Sequence, residues 1–137
     1  MITLKDIRDY IESLEIAEKD HVYMGLLGDK PENTIGVYNS KHQYDSHKAL
    51  GGPELEGYGE KYVTILVHWN KSPDDTEKAA MSLYETLRRA RNISTENGTI
   101  YFFQLLYDPQ DIGVDDGKIC ERVIEAAVIF EKKKEGE

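Results

Sequence analysis

The chain of 137 residues has a single cysteine, Cys120. That excludes an internal disulfide and a cysteine-rich zinc site, and it fits a reducing compartment. Long apolar runs are missing too. No stretch approaches the ~20 residues that a membrane-spanning helix requires. The N-terminal MITLKDIRDY is charged and amphipathic, so neither a signal peptide nor an anchor is expected there. Basic charge is scarce: 17 Lys and Arg face 26 Asp and Glu, a formal net charge of −9. Phosphate backbones and anionic lipid are repelled by such a surface. The short clusters Arg88-Arg89-x-Arg91 and Lys132-Lys133-Lys134 read as helix-end and tail charge. Neither specific nucleic-acid binding nor membrane binding is expected.

What is present suffices for one domain, with 39% hydrophobic residues. Thr3 and Asp6 have capping-box spacing, and Ile2 and Ile7 that of a hydrophobic staple. Leu4, Ile7, Ile11 and Leu14 then share a face, so a helix is expected from Thr3 to Leu14. His21–Leu27 and Thr34–Tyr38 read as strands joined in a hairpin. Residues 39–60 lack periodicity and hold Gly51, Gly52, Pro53, Gly57 and Gly59. They read as an exposed loop or arm, disordered in a lone monomer.

Lys61–Trp69 is the clearest strand. It turns Val63, Ile65, Val67 and Trp69 to one face and Tyr62, Thr64, Leu66 and His68 to the other. The second face is amphipathic and suits a partner or a thin covering layer. Ser72 caps the next helix, Pro73 suits its first position, and Asp75 has the spacing to complete a capping box. That helix should stop near Asn92. Thr99–Tyr107 is apolar on both faces, as a covered central strand is. Residues 108–117, DPQDIGVDDG, read as an acidic loop. Residues Cys120–Glu131 fit a helix or a strand. Their Val and Ile content favours the strand. Residues 1–132 thus form one α+β domain: a mixed, mostly antiparallel sheet of about five strands carrying two helices. The strand–helix–strand unit 61–107 implies a parallel pair. The last residues, 133–137, should be disordered.

Several constellations invite a chemical reading. His42, Asp45 and His47 are metal-ligand types within six residues, but no element fixes their geometry. His68 with Asp74 and Asp75, in HWNKSPDD, could make a general base, yet no nucleophile has a recognisable setting beside it. Ser72 is better explained as a cap, and Cys120 as an inert residue of an apolar run. Asp74 and Asp75 occupy the helix N-terminus and disfavour an anion there. Asp111, Asp115 and Asp116 lack the order of a calcium loop. No catalytic residue, cofactor or metal is therefore expected. Tyrosines are numerous, nine in all, and those of the arm, Tyr44 and Tyr58, suit an interface.

The segments IGVYNSK, ALGGPELEGYGEKYVTILVHWNKSPDDTEKAAMSLYETL and NGTIYFFQLLYDPQDIGVDDGKICERVIEAAVIFEK resemble a minor capsid family of phages and prophages of Gram-positive bacteria. That family is similar to the tail terminators of long-tailed phages. The resemblance runs nearly end to end and rests on length and order, not on a short motif. It implies a non-enzymatic α+β subunit of a homo-oligomeric, hexameric ring. Such a ring caps the tail tube, meets the head connector, assembles in the host cytoplasm and ends in the virion. A head-completion or neck ring is an equal placement. On this reading the interface residues are Tyr44, Leu50, Tyr58, His68 and Trp69. Glu54, Glu56, Asp74 and Asp75 would lie near the DNA channel or on a ring face. A metal-dependent hydrolase using His42, His47 or His68, or a ligand-binding α+β module, are the alternatives.

Overall fold

A computed structural model describes residues 1–25, 31–40 and 57–132. Helix α1 spans Leu4–Ser13 and is followed by strands β1 (Val22–Met24), β2 (Thr34–Asn39) and β3 (Tyr58–His68). Helix α2 spans Pro73–Arg89. Strands β4 (Ile93–Thr95), β5 (Gly98–Leu105), β6 (Gln110–Val114) and β7 (Cys120–Glu131) complete the chain. The strands form one sheet in the order β1-β2-β3-β7-β5-β4, with β6 also paired to β7. The architecture is α+β, two helices on a mixed and mostly antiparallel sheet, as expected. Two short strands, β4 and β6, add to the five read from the sequence.

Both helices start where the sequence places them, for the reasons it gives. Thr3 accepts a hydrogen bond from the Asp6 backbone N–H, and Asp6 accepts one from the Thr3 backbone N–H, closing the capping box. In α2 the Ser72 hydroxyl accepts from the Asp75 N–H, and Pro73 opens the first turn. The second half of that box differs from expectation. The Asp75 carboxylate accepts from the Asn70 amide, while the Ser72 N–H donates to Asn70 Oδ1. Asn70, two residues before the cap, takes both jobs.

The core lies between the helices and one sheet face. Ile7 and Ile11 of α1 and Ala80, Leu83 and Leu87 of α2 join Val63, Ile65, Val67, Ile124, Ala126 and Val128 in one buried cluster. The alternation along β3 and β7 sends those residues to one side. Each buried Leu or Ile contributes ~1.5–3 kcal/mol.

Strand order departs from the sequence reading in four places. β1 and β2 are parallel, not a hairpin, with Val22 opposite Ile35 and Met24 opposite Val37. The antiparallel partner of β2 is β3. A hydrophobic pattern marks a strand but not its direction. β3 and β5 do run the same way, but β7 lies between them, antiparallel to both. The covered central strand is therefore β7. β5 has only the three-residue β4 beyond it, and Phe102 is 38% exposed. Finally, Gln110–Val114 is a strand and not a loop. It pairs with the first residues of β7, while β5 takes the later ones. The Leu106 N–H donates to the Glu125 carbonyl between the two, so the ladder continues across the break. Acidic composition hid this strand, because its partner supplies the order.

Candidate functional site

The second face of the sheet carries the polar chemistry. His68 ends β3 and stands opposite Glu121 on β7. Its Nδ1 lies 2.9 Å from Glu121 Oε2 and 3.7 Å from Asp115 Oδ2. His68 is buried, at 3% exposure. Asp115 follows β6 directly, at the turn into β7. Its Oδ1 accepts from the backbone N–H groups of Gly117 and Ile119, which fixes the carboxylate. Four residue pairs further along the β3–β7 ladder, Glu125 is also buried and accepts from the Thr64 hydroxyl at 2.8–2.9 Å and from Ser40 at 3.2 Å. Burying a carboxylate is costly unless it is hydrogen-bonded, and here Thr64 and Ser40 supply that compensation. Desolvation, together with Glu125 and Glu121, raises the Tyr38 hydroxyl above its ordinary value of 10.0.

The aspartates of HWNKSPDD are not the partners of its histidine. Asp74 and Asp75 are exposed at the start of α2 and engage Lys78 and Asn70. The carboxylates at His68 are Glu121 and Asp115 instead. Cross-strand register brings Glu121 to His68 and the β6–β7 turn brings Asp115, and no sequence spacing announces either. Among the described residues the groups bonded to the His68 ring are carboxylates, which supply no activated hydroxyl or thiol for acyl transfer.

Apolar surface lies apart from this corner. Tyr58 (42% exposed) and Phe102 help line a groove of about 420 Å³ with Gly57, Tyr101, Gln104 and Ile129. On β6 every residue is exposed, including Ile112 at 51% and Val114 at 58%. Exposed apolar residues on a sheet margin are a recurrent form of contact surface.

The expected interface residues separate accordingly. Tyr58 is exposed, Trp69 is half-buried against the core, and His68 is enclosed by its carboxylates. Tyr44, Leu50, Glu54 and Glu56, with His42, Asp45 and His47, lie outside the described residues. Of the acidic loop, Asp111 faces Arg122 at 3.7 Å and Asp116 is exposed. Cys120 is half-buried. Phe102, Ile112 and Val114 were not singled out by sequence reasoning. For Ile112 and Val114 the available signal was apolar residues within an otherwise acidic stretch.

A family model described as bacteriophage tail terminator protein matches residues 4–132, and the chain belongs to that family. No curated protein matches the chain. The protein is a structural and assembly component of a phage tail, and so of the virion. Its family is not known for enzymatic activity, and its members assemble with other phage tail and head proteins. Among the described residues no helix is long and apolar enough to cross a membrane.

Proposed function

We propose that the chain is the subunit of a homo-oligomeric ring, a hexamer, that closes the tail tube and presents its other side to the head connector. The observation that carries this reading is the family match over residues 4–132. The exposed apolar groups at Tyr58, Phe102, Ile112 and Val114 support it. Phe102 lies on β5, Ile112 and Val114 on β6, and Tyr58 on β3 shares a groove with Phe102 across β7, where a neighbouring copy or the tube protein can cover them. Trp69 and His68 then act from within, by holding the end of β3, and Tyr44 and Leu50 remain proposed contacts. The exposed Asp74 and Asp75, with Glu54 and Glu56, are proposed to face the DNA path, where like charge keeps DNA from adhering. A neck ring between head and tail would use the same surfaces. Assembly is expected in the host cytoplasm.

The test is light-scattering molar mass over a concentration series, alone and with the tail-tube protein. Wild type should climb towards a mass of about six chains, alone or on the tube. The double variant Phe102→Asp, Ile112→Asp should stay at one chain while melting like wild type. A wild type that remains a single chain in both conditions would overturn the reading.

A further inference from the structure

His68, Asp115 and Glu121 bring together one ring nitrogen and two carboxylate oxygens, and all three donor atoms lie within 4.8 Å of one another. Two of the separations are 2.9 and 3.7 Å. Bonds of ~2.0–2.2 Å in a tetrahedral zinc site place donors ~3.3 Å apart. The observed distances bracket that value, so small side-chain shifts suffice.

The charge balance points the same way. Among the described residues, the ion pairs of Asp115 and Glu121 are with His68 alone. The nearest arginine in sequence, Arg122, is opposite in strand parity and pairs with Glu77 and Asp111. Two carboxylates thus meet one imidazole whose side chain is only 4% exposed. Partly buried negative charge in excess favours a cation. The three residues are also pre-positioned. His68 and Glu121 are locked opposite each other in the β3–β7 ladder, and Asp115 is held by its turn hydrogen bonds, which occupy Oδ1 and leave Oδ2 towards His68.

We propose that His68, Asp115 and Glu121 form a divalent-metal site that takes Zn²⁺ in preference to Mn²⁺. A mixed nitrogen and oxygen set suits these ions, whereas Ca²⁺ demands six to eight oxygens. Water completes the coordination. The role is structural: the ion ties the end of β3 to the β6–β7 turn and fixes the β6 margin. This site stands whether or not the chain forms a ring.

The experiment is calorimetric titration of the chelator-stripped chain with Zn²⁺, Mn²⁺, Mg²⁺ and Ca²⁺, with thermal melts in parallel. Wild type should bind one Zn²⁺ per chain, bind Mn²⁺ more weakly, ignore Mg²⁺ and Ca²⁺, and melt higher with Zn²⁺. Glu121→Gln and Asp115→Asn keep side-chain size, and an asparagine oxygen can still accept the turn hydrogen bonds. Each should weaken Zn²⁺ binding by at least ~10-fold while the metal-free melt stays cooperative. Either variant suffices if the other does not fold. The double variant His42→Ala, His47→Ala should bind like wild type. Absence of saturable Zn²⁺ binding overturns the proposal. So does binding that survives both carboxamide variants, or binding lost only with His42 and His47.

Discussion

The carboxylate of Asp6 accepts two hydrogen bonds from the side-chain amide of Asn97, at 3.1 and 3.0 Å, across 91 positions of sequence. Asp6 is also half of the α1 capping box, and Asn97 forms the turn between β4 and β5. One buried carboxylate therefore orders a helix start and fastens it to a hairpin distant in sequence. Asn97→Ala should lower unfolding free energy by ~1–3 kcal/mol, because a buried acceptor loses its charge-assisted partner. In a double-mutant cycle with Asp6→Ala the two losses should fall short of additive. Strict additivity in urea denaturation would show that the contact contributes no coupling.

Gly59 lies opposite Phe130 in the β3–β7 ladder, and a Cβ at Gly59 would stand 2.5 Å from the Phe130 ring. The ring occupies the place of the missing side chain. Gly59→Ala should cost ~1–3 kcal/mol through overpacking, read as a lower urea midpoint with an unchanged slope. Adding Phe130→Leu should recover part of the loss. A wild-type midpoint for Gly59→Ala would mean that the ring moves aside freely.

Tyr10 stacks on Phe103 with ring centroids 5.9 Å apart, and burial raises its hydroxyl above the ordinary 10.0. The sign follows from linkage: below pH 10 both states keep the proton. As pH rises above 10 the unfolded chain ionises first, so stability falls until the folded value is passed. Tyr10→Phe should therefore lose stability less steeply than wild type between neutral pH and pH 11, in a series of urea melts. An identical slope would remove Tyr10 from the alkaline transition.

How legible this molecule is in its sequence depends on the range of the interaction. Thr3, Asp6, Ser72 and Pro73 announce both helix starts, because capping is decided within a few residues. The alternation of Val63, Ile65 and Val67 identifies β3 and its core face. Pairing is another matter. β7 inserts between β3 and β5, and β1 joins β2 in parallel, by contacts that no local pattern encodes. The corner illustrates the consequence. Sequence proximity pairs His68 with Asp74 and Asp75, but register delivers Glu121 and a hairpin turn delivers Asp115. Gly59 reads as part of the exposed arm 39–60, yet it lies in β3, where its lack of a side chain makes room for Phe130. The family assignment was legible because it rests on the order of segments along nearly the whole chain.

The measurement that bears most directly on tail termination is electron microscopy of tubes grown from the tail-tube protein with and without this chain. With wild type, tubes should stop growing and carry a ring at one end. With Phe102→Asp, Ile112→Asp they should grow on without one. Tubes of unchanged length and bare ends in the presence of folded wild type would contradict a tail-capping ring.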